Sequence, residues 1–178
     1  MENDIVENVE PFVYQHEDTP GSRMTIVTDP AAKGLNCIGE IAARENMNVC
    51  LSGAGADEVL SDYGRAGEKI YAHSEFGGVF PEDLSTIFPW RKFFGDTQRS
   101  YLFKEEFILG RHAIEGRYPF LDKAVVQAFL SLTTEAKNYD YKAPIAYMLE
   151  QSRYPYERHV KRGFDPSIKE RGWSFARF

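Results

Sequence analysis

No stretch of this 178-residue sequence approaches the roughly 20 apolar residues that a membrane-spanning helix needs. Its first residues, MEND, are acidic, whereas a secretory signal peptide begins with basic residues and continues into an apolar segment. The sequence also lacks a basic surplus: 27 acidic residues outweigh 21 Lys and Arg, which leaves a formal net charge of -6. A charge of that sign argues against nucleic acid or an anionic membrane as the main partner. We therefore expect a soluble, cytoplasmic protein.

Cysteine is scarce, with only Cys37 and Cys50, and neither belongs to a Cys-x-x-Cys pair. Cys50 lies in an apolar run, which favours a buried, reduced thiol. A disulfide to Cys37 is the alternative and would suit a secreted protein. The histidines show no metal-ligand or catalytic-dyad spacing, so we interpret them as structural or surface residues. They are His16, His73, His112 and His159.

Apolar material is plentiful, since 43% of the residues are hydrophobic and 14% are aromatic, enough for the core of one domain. Asp29-Pro30 resembles a helix N-cap followed by proline at the first helical position, so residues 30 to about 45 are predicted to form an amphipathic helix. Residues 49–51 are predicted to form a buried strand, followed by a glycine-bearing turn and a second helix. Alternating helix and strand are typical of an α/β fold. The predicted inner face of the first helix consists of Ala31, Leu35, Ile38 and Ala42.

The second half of the chain is predicted to be mainly helical. Residues 99–113, residues 123–132 and a segment from Pro144 to Leu149 carry helical patterns, and aromatic residues surround Pro89. Only residues 49–51 read convincingly as a strand, so we expect part of a sheet joined to a helical region. The predicted inner face of residues 123–132 consists of Ala124, Val125, Ala128, Phe129 and Leu132.

The turn at residues 52–58 (SGAGADE) is the most informative segment. Small residues after a strand let backbone N–H groups approach an anion, and the next helix presents the positive end of its dipole. Asp57 adds a carboxylate that could share Mg²⁺ with phosphate oxygens. The alternative is that the glycines only form a tight turn and Asp57 caps the helix, and spacing alone favours this alternative.

Two later segments are equally ambiguous when taken alone. Residues 115–122 (EGRYPFLD) read as a turn with a Glu–Arg pair, in which Asp122 can cap the following helix. Residues 159–166 (HVKRGFDP) place a basic pair before a glycine turn, which could reach a phosphate or simply be solvated.

Taken in order, these segments resemble the synthetase domain of the asparagine synthetase family. That domain carries Ser-Gly-x-Gly-x-Asp-Glu after a strand, then Glu-x-Arg-x-Pro-Phe-Leu-Asp, a helix led by Lys, and a Lys-x-x-Phe turn. Residues 52–58, residues 115–122, the helix led by Lys142 and residues 161–164 match these motifs. The resemblance spans residues 10 to 168. It implies that residues 1–178 are the C-terminal half of such a domain, with a partial adenine-nucleotide α-hydrolase-like (Rossmann-like) sheet and a mainly helical C-terminal part.

The resemblance implies an ATP-dependent, Mg²⁺-requiring amide ligase. The family activates the side chain of aspartate as an acyl-adenylate, and ammonia from glutamine then displaces AMP to give asparagine. Carried over by position, Ser52, Gly53 and Gly55 would bind the AMP portion, and Asp57 would hold Mg²⁺.

The remaining matched residues have three implied roles. Glu58 would lie near the substrate, and Lys161 would stabilise negative charge in the transition states. Glu115 and Arg117 would fix their loop against the sheet.

The sequence also departs from the family. It contains no Ser-Gly-Gly-x-Asp-Ser pyrophosphate loop and no N-terminal cysteine of a glutaminase domain, so we expect a fragment or a short protein that works with a partner chain. Ala54 stands where many members carry Glu or another polar residue, and Ala146 replaces a frequent Arg. The alternative function is a non-catalytic descendant that binds nucleotide or mediates protein contacts.

Overall fold

The computed structural model shows a mixed α/β fold made mostly of helices, with a small two-stranded parallel sheet. The elements alternate as the sequence predicts in the first half and become mainly helical after residue 95. Within the described segments, no helix is both long and apolar enough to span a membrane. The residues that the structure describes are 13–15, 23–25, 29–60, 64–65, 68–69 and 76–157.

The helices of this part are α1 (Pro30–Arg44), α2 (Ala56–Leu60), α3 (Asp96–Arg111), α4 (Lys123–Leu130), α5 (Thr134–Asn138) and α6 (Ala143–Gln151). The strands are β1 (Val13–Gln15), β2 (Arg23–Thr25), β3 (Val49–Leu51), β4 (Gly64–Arg65), β5 (Glu68–Lys69) and β6 (Glu115–Arg117). Strands β1 and β2 are antiparallel, as are β4 and β5, whereas β3 and β6 are parallel.

Helix α1 begins where the sequence predicts. The Asp29 carboxylate accepts a hydrogen bond of 2.8 Å from the Ala31 N–H, which satisfies a donor that would otherwise have no partner at the helix start. The second carboxylate oxygen of Asp29 accepts a bond of 3.0 Å from the Lys104 ammonium, and both side chains are buried. This ion pair fixes the start of α1 against α3.

The face that α1 buries differs in part from the predicted one, although Leu35 packs against the core as predicted. Ala32, Asn36 and Gly39 are buried, whereas Ile38 is 45% exposed. The reason is the close approach of His112, whose ring nitrogen lies 2.9 Å from the Asn36 side-chain oxygen. A Cβ on Gly39 would lie 2.6 Å from the same ring, so only glycine permits this contact. Small residues therefore determine the packing of α1 against α3.

The parallel pair β3–β6 corrects two predictions. Residues 115–117 form a strand rather than a turn, with Leu51 paired with Arg117. Strand β3 is also less buried than predicted, because Val49 is 54% exposed and Leu51 is 73% exposed. In the described residues β3 has a single neighbouring strand, and this leaves its apolar side chains uncovered.

The main core is aromatic and packs against α2. Phe80, Trp90 and Phe129 are buried and meet edge to face, with the Phe80 centroid 5.5 Å from each of the other two. The predicted inner face of α4 is therefore confirmed at Phe129, which packs inward with Val126, and is wrong at Val125, which is 46% exposed. Aromatic contacts of this kind contribute beyond the area they bury.

Candidate functional site

The turn after β3 has the predicted form. Strand β3 ends at Leu51, a turn follows at residues 54–55, and α2 begins at Ala56 with Asp57 in its first turn. The Ser52 N–H donates to the Arg117 carbonyl at 2.8 Å, and the Ser52 hydroxyl oxygen accepts from the Ala54 N–H at 3.1 Å. Ser52 therefore connects the turn to β6 through its backbone and stabilises the turn through its side chain.

Gly55 joins the first motif to the second. Its φ of +93° lies in the left-handed region that glycine tolerates best. A Cβ at this position would lie 2.2 Å from Leu121 Cδ2, so the Leu121 side chain occupies the space that any other residue would need. Leu121 belongs to the short 3₁₀ helix Pro119–Leu121, and Asp122 then caps α4 as predicted. The two motifs are thus in direct contact at the carboxyl end of the parallel strands.

Asp57 forms an ion pair with Lys142, the residue that leads α6. Both side chains are 27% exposed, so the pair is partly shielded and still reachable from solvent. The Asp57 carboxylate thus meets an ammonium group, whereas one alternative from the sequence gave it the role of a helix cap. The sequence indicated Lys142 only as part of the motif order, and nothing in its local pattern predicted this contact.

The environment of Lys142 favours its charged form. Burial by itself lowers the pKa of the ammonium, but the charge and hydrogen bond of Asp57 outweigh it and raise the pKa above its ordinary value. Tyr141 lies beside the ammonium, which is 5.4 Å from the ring centroid. Lys142 also has a left-handed backbone, with φ of +51° and ψ of 35°, immediately before α6. A fixed positive charge therefore lies beside the first motif.

Glu58 is placed differently from the other motif residues. It is buried in α2, and its backbone carbonyl accepts a hydrogen bond of 2.8 Å from the Trp90 indole N–H. This bond ties α2 to the aromatic core. The backbone of Glu58 therefore has a structural role, while its side chain lies away from solvent.

A carboxylate that the motifs did not include also reaches this site. Glu105 of α3 is hydrogen-bonded to the Ser52 side chain, and burial raises the pKa of Glu105 above its ordinary value despite that bond. Burial raises the pKa of the Cys50 thiol, and the nearby negative charge of Glu105 raises it further. The only sequence signal was the adjacent acidic pair in α3. The next residue, Glu106, accepts a hydrogen bond of 2.8 Å from the Tyr118 hydroxyl.

The remaining predicted residues are two charged side chains of β6, Lys161 and the two cysteines. Glu115 and Arg117 pair with each other at 2.9 Å on the exposed face of β6. Lys161 lies outside the described residues. Cys37 and Cys50 are both free thiols, the first exposed and the second half-buried.

The donor set for a metal is limited. The described part of the chain contains no group of three or more His, Cys, Asp or Glu side chains that could hold a metal ion. Asp57 could still give one carboxylate oxygen to Mg²⁺ that is bound mainly by phosphates and water, a common arrangement for this ion. The described residues thus form no protein cage for a metal, and Asp57 would suit a metal that arrives with a nucleotide.

Comparison with known proteins gives no further identification. No family model, curated protein or solved structure matches this chain.

Proposed function

We propose that this chain forms the AMP-binding and acyl-transfer edge of an asparagine-synthetase-type amide ligase. One observation carries the proposal: residues 52–58, residues 115–122 and Lys142 lie far apart in the sequence and meet at one end of the parallel strands. The motif order alone does not require these segments to touch. Ligands of open α/β sheets bind at this end, outside the carboxyl ends of the strands.

The proposed fold is a partial Rossmann-like sheet of the adenine-nucleotide α-hydrolase kind. Parallel strands in such folds are covered on both faces and read as continuous apolar runs. Strand β3 has this composition, yet Val49 and Leu51 are exposed where additional strands or helices would cover them. The exposed apolar side chains therefore support a sheet that extends beyond the parallel pair.

The turn offers an open approach to its backbone. A Cβ at Gly53 would meet no atom within 4 Å, so a ligand group can come close to the chain there. We assign contact with the AMP portion to Ser52, Gly53 and Gly55. Gly55 contributes chiefly by allowing the turn to pack on Leu121, which fixes the position of the other two.

The ion pair supplies both signs of charge beside this turn. Lys142 is a fixed cation that suits the phosphate of an acyl-adenylate, and Asp57 is a carboxylate that suits Mg²⁺ bound to a nucleotide. Mg²⁺, when bound, would neutralise part of the negative charge of the phosphates. The two side chains hold each other in place in the absence of a ligand, so binding requires little reorganisation.

The proposed reaction follows from these assignments. Aspartate is the carboxylate substrate, ATP activates it as an acyl-adenylate, and ammonia from glutamine replaces AMP to give asparagine. Lys161 keeps its proposed role in stabilising transition-state charge. The buried position of Glu58 favours a role in anchoring α2 over direct contact with the substrate.

Calorimetric titration of the chain with AMP and with ATP and Mg²⁺ tests this proposal. We expect both nucleotides to bind, and we expect Lys142→Ala to weaken binding by on the order of 10-fold or more, the usual loss for a hydrogen bond to a charged group. Lys33→Ala is the matched control, because Lys33 is exposed on α1. Absence of binding, or equal weakening by both variants, would contradict the proposal.

A second candidate function is a nucleotide-binding or protein-interaction protein without catalysis. Ala54 favours it, because the motif position that is often acidic carries only a methyl group. The two candidates differ in one measurable property. The non-catalytic protein binds nucleotide but does not accelerate attack of ammonia on aspartyl-adenylate, whereas the ligase does.

A further inference from the structure

The turn after β3 has an acidic neighbour from another part of the chain. Glu105 projects from α3 and is hydrogen-bonded to the Ser52 side chain. Ser52 in turn accepts the Ala54 N–H at 3.1 Å. Two hydrogen bonds therefore connect the position that lacks an acid, Ala54, with a carboxyl group from a separate helix.

Among the described residues, one oxygen of this carboxyl group lacks a hydrogen-bond partner. Glu105 Oε2 exposes less than 1 Å² and accepts no hydrogen bond within the described part of the chain. A buried carboxylate oxygen without a partner is unfavourable, because it loses hydration and gains nothing in return. Such an atom is suited to hold a proton or to accept one from a ligand. By contrast, the adjacent Glu106 is exposed and already engaged by the Tyr118 hydroxyl.

We propose that Glu105 is the general base of the amide-forming step and takes the place of the acidic side chain that Ala54 lacks. The inference rests on the proposed function. It names a residue that the motif resemblance does not include, and it explains how a chain with Ala54 could retain catalysis.

The proposed step replaces the C–O bond between the acyl carbon and AMP with a C–N bond. The nitrogen of ammonia attacks the acyl carbon of aspartyl-adenylate, and a new C–N bond forms. Glu105 accepts one proton from the attacking nitrogen. The C–O bond to the AMP phosphate then breaks, and AMP leaves with the electron pair, so that asparagine, AMP and one proton are produced. Burial supports this role, because it raises the pKa of Glu105 and outweighs the Ser52 hydrogen bond and the Lys104 charge, which lower it, while the Glu106 charge raises it further.

The test supplies aspartyl-adenylate and ammonia directly to the complete chain. This bypasses the activation step, for which the family's pyrophosphate loop is needed. The rate of asparagine formation is measured against pH and expressed per concentration of unprotonated ammonia. For the wild-type chain we expect acceleration that increases with pH and levels off above the pKa of an ordinary glutamate.

Three variants make the test specific. Glu105→Gln keeps the shape and the ability to accept the Ser52 hydrogen bond but cannot take a proton, so we expect a loss of about 10²- to 10⁴-fold in turnover with little change in KM. Glu106→Gln is the matched control from the next position and should stay close to wild type. Ala54→Glu combined with Glu105→Gln should recover part of the rate, which a purely structural role of Glu105 would not allow.

The outcomes separate the inference from the proposed function. If the wild-type chain accelerates the reaction and Glu105→Gln, folded to the same extent, is equally fast, the inference is wrong and the ligase proposal stands. A loss in Glu106→Gln rather than Glu105→Gln would also overturn it. If the chain neither binds the adenylate nor accelerates the reaction, the proposed function fails and the inference fails with it.

Discussion

The two sides of helix α2 differ in character: one side packs into the apolar core, and the other side carries a charged group of the candidate site. On one side, Val59 and Leu60 pack into the aromatic core. On the other side, Asp57 meets Lys142 in a partly open, charged site. The core side stabilises the fold through burial, whereas the charged side holds groups that burial makes unfavourable. We therefore expect substitutions on the core side to reduce stability, and those on the charged side to affect ligands more than stability.

The largest expected effect is on the core side. Phe129→Ala should lower the free energy of unfolding by about 3–5 kcal/mol, because it removes a buried ring that contacts Phe80 and leaves a cavity. Phe94→Ala is the control, since Phe94 is 67% exposed. Urea unfolding of the three proteins measures the difference. Similar losses in both variants would show that the aromatic core is not the main source of stability.

The next effect concerns the contact that joins the two motifs. Gly55→Ala should cost at least about 2 kcal/mol, because the positive φ is strained for alanine and the new methyl group would overlap Leu121. Gly53→Ala lies two residues away, meets nothing within 4 Å and should cost little. Thermal unfolding of both variants measures this difference in stability. Equal melting temperatures would mean that Leu121 does not pack on Gly55.

Lys142→Ala should have a smaller effect on stability, about 1 kcal/mol, because the ion pair with Asp57 is still partly exposed. The effect should depend on pH. The pKa of Lys142 is raised in the folded protein, so its stabilisation is fully present below the ordinary value of 10.5 and is lost as the pH rises through the folded value. Unfolding measured from pH 8 to above pH 11 checks this. A constant difference between wild type and Lys142→Ala over that range would contradict the pairing.

The smallest expected change in stability has the opposite sign. Because the pKa of Glu105 is raised in the folded protein, the folded state holds this proton more tightly than the unfolded state, and stability falls as the pH rises from 4.5 towards the folded value. Glu105→Gln should therefore raise the melting temperature at neutral pH and lose this advantage near pH 4. Glu106→Gln should show no such gain. A Glu105→Gln protein that is less stable at neutral pH would mean that the carboxylate stabilises the fold.

Sequence alone predicted the parts of the fold that depend on local patterns. The N-cap at Asp29, the turn after β3 and the start of α4 at Asp122 each involve neighbouring residues, and all three are confirmed. Strand β6 was missed because Gly116 and the charged residues beside it carry no strand pattern, and only pairing with β3 makes them a strand.

The candidate site shows the same division between local and distant contacts. Asp57 could be singled out from its motif, but its partner Lys142 and the nearby Glu105 come from helices far along the chain. Contacts of that kind depend on tertiary packing, which no local spacing encodes. The faces of α1 and α4 were predicted only in part for a similar reason, since His112 and the aromatic core determine which residues are buried.

The proposed function requires that three distant segments form one nucleotide site at the end of the parallel strands. Backbone amide NMR spectra recorded during addition of AMP test it most directly. We expect shifts concentrated at residues 52–55, with smaller shifts near residue 121 and at Lys142, and we expect these shifts to be lost in Lys142→Ala. Shifts confined to other parts of the chain, or spectra unchanged at saturating AMP, would contradict it.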